Sequence, residues 1–226
     1  MLPDADLGLA VAAGVQAVML NSGQSCNAPT RMLVPHEMMG DAIEIARSAV
    51  ERISVGDPLD DAMIGPVVSE THWRRVQALI QRGIDEGAAL IAGGPGKPEG
   101  LSSGYFVKPT VFAEVRNDMT IAREEVSGPV LVIIGYDTID DAVAIANDTD
   151  YGLAAYVQGK DMNVARSVAA RLRAGQVIIN EAPRDFMAPF GGYKQSGNGR
   201  EWGDHALAEF LETKAIIGFG AGECTH

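Results

Sequence analysis

Cysteine is almost absent from this chain of 226 residues: Cys26 and Cys224 are the whole supply. Two thiols cannot build the disulfide framework of a small secreted protein, so a reducing, cytoplasmic setting is expected. Basic charge is also short, with 18 Lys and Arg against 30 Asp and Glu, a net charge of −12 and an isoelectric point near 4.7. An acidic surface repels polyanions, which argues against nucleic acid or an anionic membrane as partner. Long apolar runs are missing as well. No stretch approaches the roughly 20 residues of a membrane span, and the first residues carry no basic segment ahead of an apolar one. Internal repeats, charged tails and low-complexity linkers are absent too.

Several motifs begin and then fail. His36-Glu37-Met38-Met39-Gly40 starts like a zinc-protease helix but has glycine where the second histidine belongs. Gly94-Pro95-Gly96-Lys97 lacks the spacing of a phosphate loop. In the glycine-rich run Pro189 to Glu201, counting from Gly197 and Gly199 puts Trp202 where a dinucleotide fingerprint needs its third glycine. Those glycines let the backbone approach something closely, whether another loop or a bound molecule. Asn147-Asp148-Thr149 fits a glycosylation sequon but reads as a helix end. No metal site is assigned.

What is present is a hydrophobic content of 46%, ample for a real core. Asp4 can cap a helix running through Leu7, Val11, Val15 and Met19. Strands are expected at Arg31–Val34, Ala89–Ala92, Lys108–Phe112, Val130–Ile134, Leu153–Val157 and Gln176–Asn180. Helical spacing covers Met38–Ile53, Glu70–Glu86, a segment opened by Thr138 and Asp140-Asp141, and Met162–Leu172, with Gly175 as its stop. The alternation predicts an α/β fold with a mostly parallel open sheet flanked by helices. One compact domain is expected over residues 1–200. The arm 201–226 holds a short helix, Asp204–Glu212, and an apolar strand, Lys214–Phe219, that should pair with another subunit.

Cys26 is the candidate reactive group. It sits in Leu20-Asn21-Ser22-Gly23-Gln24-Ser25-Cys26, a small polar loop between a helical pattern and a strand, near backbone N–H groups. That placement suits a nucleophile, although a lone cysteine also serves as a small buried hydrophobe.

Asn21-x-Gly23-Gln24-x-Cys26, Glu124-Glu125-Val126-x-Gly128-Pro129, Asn147-x-Thr149-x-Tyr151-Gly152-Leu153-Ala154-Ala155 and Gly175-x-Val177-x-Ile179-Asn180 occur in order. Pro189-Phe190-Gly191-Gly192-x-Lys194-x-Ser196-Gly197-x-Gly199-Arg200-Glu201 and Glu212-x-Lys214 follow. Together, over nearly the whole chain, they resemble the C-terminal half of the NAD(P)-dependent aldehyde dehydrogenase superfamily. The resemblance implies that the Cys26 thiolate adds to an aldehyde to give a thiohemiacetal, and that the thioester left after hydride transfer is hydrolysed. It implies that Glu125 binds the nicotinamide ribose hydroxyls; from the residues alone, Glu124 and Glu125 would pass as a solvated pair.

The same resemblance places the oxyanion asparagine, the pyrophosphate-binding turn and the deacylating glutamate upstream of Leu2, outside this chain. It also marks Ser127 as a departure, since the family usually has an aromatic residue there. Two expectations follow: a dehydrogenase chain that does not bind NAD or NADP alone, or an inert remnant that folds and self-associates as a homodimer or larger assembly.

Overall fold

The structure, a computed structural model, describes residues 1–218. Its strands are β1 (Arg31–Pro35), β2 (Ala89–Ala92), β3 (Thr110–Ala113), β4 (Val130–Tyr136), β5 (Ala154–Val157) and β6 (Gln176–Ile179). Its helices are α1 (Leu7–Met19), α2 (Met39–Glu51), α3 (Glu70–Asp85), α4 (Thr120–Arg123), α5 (Ile139–Asn147), α6 (Met162–Arg171) and α7 (His205–Ala208). None of these helices is long and apolar enough to cross a membrane.

The larger sheet has the order β1-β4-β3-β2, with β4 parallel to both neighbours and β2 antiparallel at the edge. Strand β4 explains why its sequence is apolar without alternation. Leu131 and Ile133 face a core shared with α1 and α2, where Val11, Val15, Met19, Ala42 and Ala46 are buried. Val130, Val132 and Ile134 face the opposite core, built on Val76 and Ile80 of α3, Ile121 of α4 and Phe112. A strand covered on both sides needs apolar residues at every position. Strands β5 and β6 form a separate parallel pair, packed with α5 and α6 around Leu2, Val143, Val157 and Ala165.

Three local expectations are corrected. Asp6, not Asp4, caps α1: its Oδ1 accepts from the Leu9 N–H at 3.1 Å. Asp4 instead accepts from the N–H groups of Lys160 (3.1 Å) and Asp161 (2.6 Å), tying the start of the chain to the turn before α6. Helix α6 ends at Arg171, because the backbone of Leu172 is already extended, and Gly175 serves a close contact described below. Among the described residues of the C-terminal arm only His205–Ala208 is helical, and residues 214–218 form no strand within this one chain; Phe219 lies outside the described residues. An edge strand needs a hydrogen-bonding neighbour, and Ile216 and Ile217 remain 69% and 98% exposed.

Candidate active site

The loop that bears Cys26 is shaped by three consecutive left-handed residues after α1: Asn21 (φ 53°), Ser22 (φ 57°) and Gly23 (φ 74°). Each non-glycine residue in that region costs about 1–2 kcal/mol, least for Asn. The cost is offset by specific bonds. The Ser22 hydroxyl donates to the Gly65 carbonyl at 2.8 Å. Asn21 Nδ2 donates to the Gln24 carbonyl and Gln24 Nε2 to the Asn21 carbonyl, both at 3.1 Å. Gln24 Oε1 accepts from the Val68 N–H at 2.8 Å.

Gly23 is required by a close approach. A Cβ there would lie 1.9 Å from the Gly128 carbonyl oxygen and 2.6 Å from the Pro129 nitrogen. The Cys26 loop therefore lies directly on the loop that carries Glu124 and Glu125. That second loop is gripped from behind by α3. His72 Nε2 donates to the Ser127 carbonyl at 2.6 Å; a carbonyl only accepts, so this ring nitrogen carries the hydrogen. Arg75 Nη1 reaches the Val126 carbonyl at 3.4 Å, and its Nη2 stands 3.8 Å from Glu124 Oε2. Ser127 itself is left-handed (φ 51°).

Cys26 is exposed, so the reading of it as a buried hydrophobe does not hold. It lines a cavity of about 460 Å³ together with Glu124, Glu125, Ser127, Leu153 and Tyr156. The structure thus brings Cys26 and Glu125 to one cavity. Among the described residues, the N–H groups of Cys26 and Asn27 make no hydrogen bond, leaving two unpaired donors in the turn that carries the sulfur. A thiolate or an oxyanion formed there has fixed dipoles to meet.

The far wall is organised by the C-terminal end of α5, where helix carbonyls lack intrahelical partners. Arg31 Nη2 donates to the Ile145 carbonyl at 2.8 Å and Arg123 Nη1 to the Asp148 carbonyl at 2.7 Å. Lys194 Nζ donates to the carbonyls of Asn147 (2.7 Å) and Thr149 (2.8 Å). Arg31 also bonds Asn117 Oδ1. Cations suit this negative helix end. Burial, with Arg123 adding to it, lowers the Arg31 pKa. Burial, then the charges of Arg173 and Arg31, lowers that of Lys194.

The glycine-rich run packs against another loop. A Cβ on Gly175 would fall 1.7 Å from the Gly191 carbonyl oxygen, and one on Gly191 would fall 2.2 Å from that of Gly199. Ser196 Oγ accepts from the Gly152 N–H at 3.0 Å. Gly191 and Gly192 are committed to protein contacts, so they do not fit a pyrophosphate cradle. Glu125 does fit sugar hydroxyls, being an exposed carboxylate on the cavity that holds Cys26. Among the described residues no group of His, Cys, Asp or Glu could hold a metal ion.

Two contacts escaped the sequence. His72 is 55 positions from its partner Ser127, and no local pattern announces the pairing. Tyr156 donates its hydroxyl to the Asn27 carbonyl at 2.7 Å. A polar-tipped aromatic in an otherwise apolar strand was the available signal, since buried phenols usually find a partner. Burial raises the Tyr156 pKa; the Arg184 charge opposes this and the charge at Cys26 adds to it.

Residues 1–216 match the model of the aldehyde dehydrogenase family. The 3-succinoylsemialdehyde-pyridine dehydrogenase of a Pseudomonas species is 52% identical over 220 residues, covering 97% of this chain and 46% of that protein. A putative aldehyde dehydrogenase of Staphylococcus aureus is 49% identical, with the same coverage. Among solved structures, a cysteine-to-alanine mutant of aldehyde dehydrogenase C from Pseudomonas syringae, complexed with NAD+ and octanal, superposes with a TM-score of 0.96 at 55% identity. The match covers 98% of this chain and 46% of that one. A Mycobacterium tuberculosis aldehyde dehydrogenase complexed with NAD+ gives 0.89 at 46% identity, covering 92% and 43%. The chain spans about half the length of the curated relatives it matches.

Proposed function

The chain belongs to the aldehyde dehydrogenase family, and on that premise we propose that Cys26 is the nucleophile of an NAD- or NADP-dependent aldehyde oxidation. The observation that carries the proposal is the exposed Cys26 sulfur in one cavity with Glu125, on a turn with unpaired backbone N–H groups. The Cys26 thiolate forms a C–S bond to the carbonyl carbon, and the π electrons move to oxygen. The Cys26 N–H helps to hold that oxyanion. A nicotinamide held through Glu125 would supply the hydride acceptor. Water then cleaves the thioester, releasing a carboxylate and restoring the thiolate. Glu125 is assigned to the ribose hydroxyls of the cofactor.

The family resemblance assigns the deacylating base, an asparagine oxyanion donor and the pyrophosphate site to the part of the relatives that this chain does not cover. The base contributes about 10²–10⁴-fold and the donor about 10²–10³-fold. We therefore assign the isolated chain little or no dehydrogenase activity. Calorimetry of the purified chain with NAD+ should give no saturable binding, and octanal oxidation should stay at background. Adding a polypeptide equivalent to the other half of the relatives should restore both, and C26A should abolish the restored turnover. Activity surviving C26A would overturn the assignment. A second reading, self-association without catalysis, is favoured by the exposed Phe210 and Ile217. Failure to gain activity with the other half supplied would favour it.

A further inference from the structure

We propose that Tyr156 is the positioning residue of the Cys26 nucleophile, holding open the turn that presents the sulfur. The assignment rests on the reading of Cys26 as nucleophile. Tyr156 lies on β5, in the smaller sheet, whereas the Cys26 loop joins α1 to β1 of the larger one. Its hydroxyl crosses between them to donate to the Asn27 carbonyl at 2.7 Å, bridging 129 positions of sequence. Among the described residues it makes the sole side-chain hydrogen bond to residues 25–30.

The bond acts on one peptide unit. The Ala28 N–H donates to the Ser25 carbonyl at 3.0 Å, closing a four-residue turn with Cys26 at its second position. The Asn27 carbonyl belongs to the same planar peptide as that N–H. One end of the plane is therefore held by the turn and the other by Tyr156. With the carbonyl released, the plane is free to rotate, and its N–H leaves Ser25. The turn then loosens, and the free Cys26 N–H loses its fixed direction beside the sulfur. A thiolate stabilised by oriented dipoles becomes harder to form when those dipoles move.

Y156F removes the hydroxyl and keeps the half-buried ring in the cavity wall. The test is the rate of iodoacetamide labelling of the full chain over a pH series, resolved by mass spectrometry into Cys26 and Cys224. Cys224 lies outside the described residues and serves as reference thiol. In Y156F, labelling of Cys26 near neutral pH should fall about 2- to 12-fold, the equivalent of one ordinary hydrogen bond. Its pH midpoint should rise, and Cys224 should not change. A purely structural role would lower the melting temperature without moving the Cys26 pH profile. If wild-type Cys26 outpaces Cys224 and Y156F leaves the profile unmoved, the Tyr156 assignment falls alone. If wild-type Cys26 reacts no faster than Cys224, the nucleophile reading falls and takes this one with it.

Discussion

Replacing Gly23 with alanine tests whether the two site loops depend on one contact. The added Cβ would sit 1.9 Å from the Gly128 oxygen and 2.1 Å from the Gly128 carbonyl carbon. Both are backbone atoms and cannot rotate away. Gly23 is also left-handed, at φ 74°, so alanine adds about 1–2 kcal/mol of strain. Forced repacking adds about 1–3 kcal/mol. Together these give roughly 2–5 kcal/mol of destabilisation from the two terms. For a chain of this size each kcal/mol lowers the melting temperature by about 2–4 °C, so thermal melting reads the effect directly. Labelling of Cys26 should change in step, because lifting its loop off Gly128 moves the thiol relative to Glu125. G40A is the control: a Cβ on Gly40, within α2, meets nothing within 4 Å. There the same substitution should stabilise by about 0.5–1 kcal/mol through helix propensity. A G23A protein that melts with wild type and labels at the wild-type rate would refute the reasoning.

Asn147 joins the ends of two helices, its Nδ2 donating to the Arg171 carbonyl at 2.9 Å and its Oδ1 accepting from the Arg173 N–H at 2.7 Å. N147A should cost about 1–3 kcal/mol in urea unfolding, with the slope unchanged; wild-type stability would show that water replaces both bonds. Burial, and then the charges of Asp4 and Glu37, push the Tyr136 phenol up to about 12. The folded pKa thus exceeds the unfolded value of about 10, so its contribution is intact below about pH 10 and is lost as pH rises towards 12. Y136F should flatten that alkaline fall in urea midpoint, and parallel curves for the two proteins would contradict it. Phe210 is 86% and Ile217 98% exposed, surface that favours association. Light scattering at micromolar concentration should give a mass above that of one chain, and a monomer would count against the self-associating arm.

The repeating elements were legible because their periodicity survives in the sequence. Val130 to Ile134 reads as a strand buried on both faces, and Val76, Ile80 and Ile84 mark one face of α3. Thr138 and Asp140-Asp141 announce a helix start, and in the structure Thr138 and Asp141 cap each other there. Cys26 was legible as a reactive candidate, and its loop does open onto a cavity. The left-handed backbone at Asn21 and Ser22 was not, since neither residue demands that conformation without Gly65 and Gln24 to bond. Gly175 looked like a helix stop because that is glycine's commonest local use; its true neighbour, Gly191, is far along the chain. The terminal strand, expected to pair with another subunit, is not formed within the one chain for a related reason. Apolar β-branched residues favour a strand only when another strand supplies the ladder.

The gathering of Arg31, Asn117, Arg123 and Lys194 around the last turn of α5 has a consequence for the order in which this polypeptide matures. A nascent chain that has reached Tyr136 already holds all four strands of the larger sheet, together with α1 to α4. The carbonyls of Ile145, Asn147, Asp148 and Thr149 emerge later, and Lys194 last of all. Such contacts between distant positions are slow to form, because chain entropy must be surrendered before any bond rewards it. On a ribosome Arg31 therefore precedes its partner carbonyl at Ile145 by more than a hundred residues, and the junction between the two sheets locks only once Lys194 has emerged.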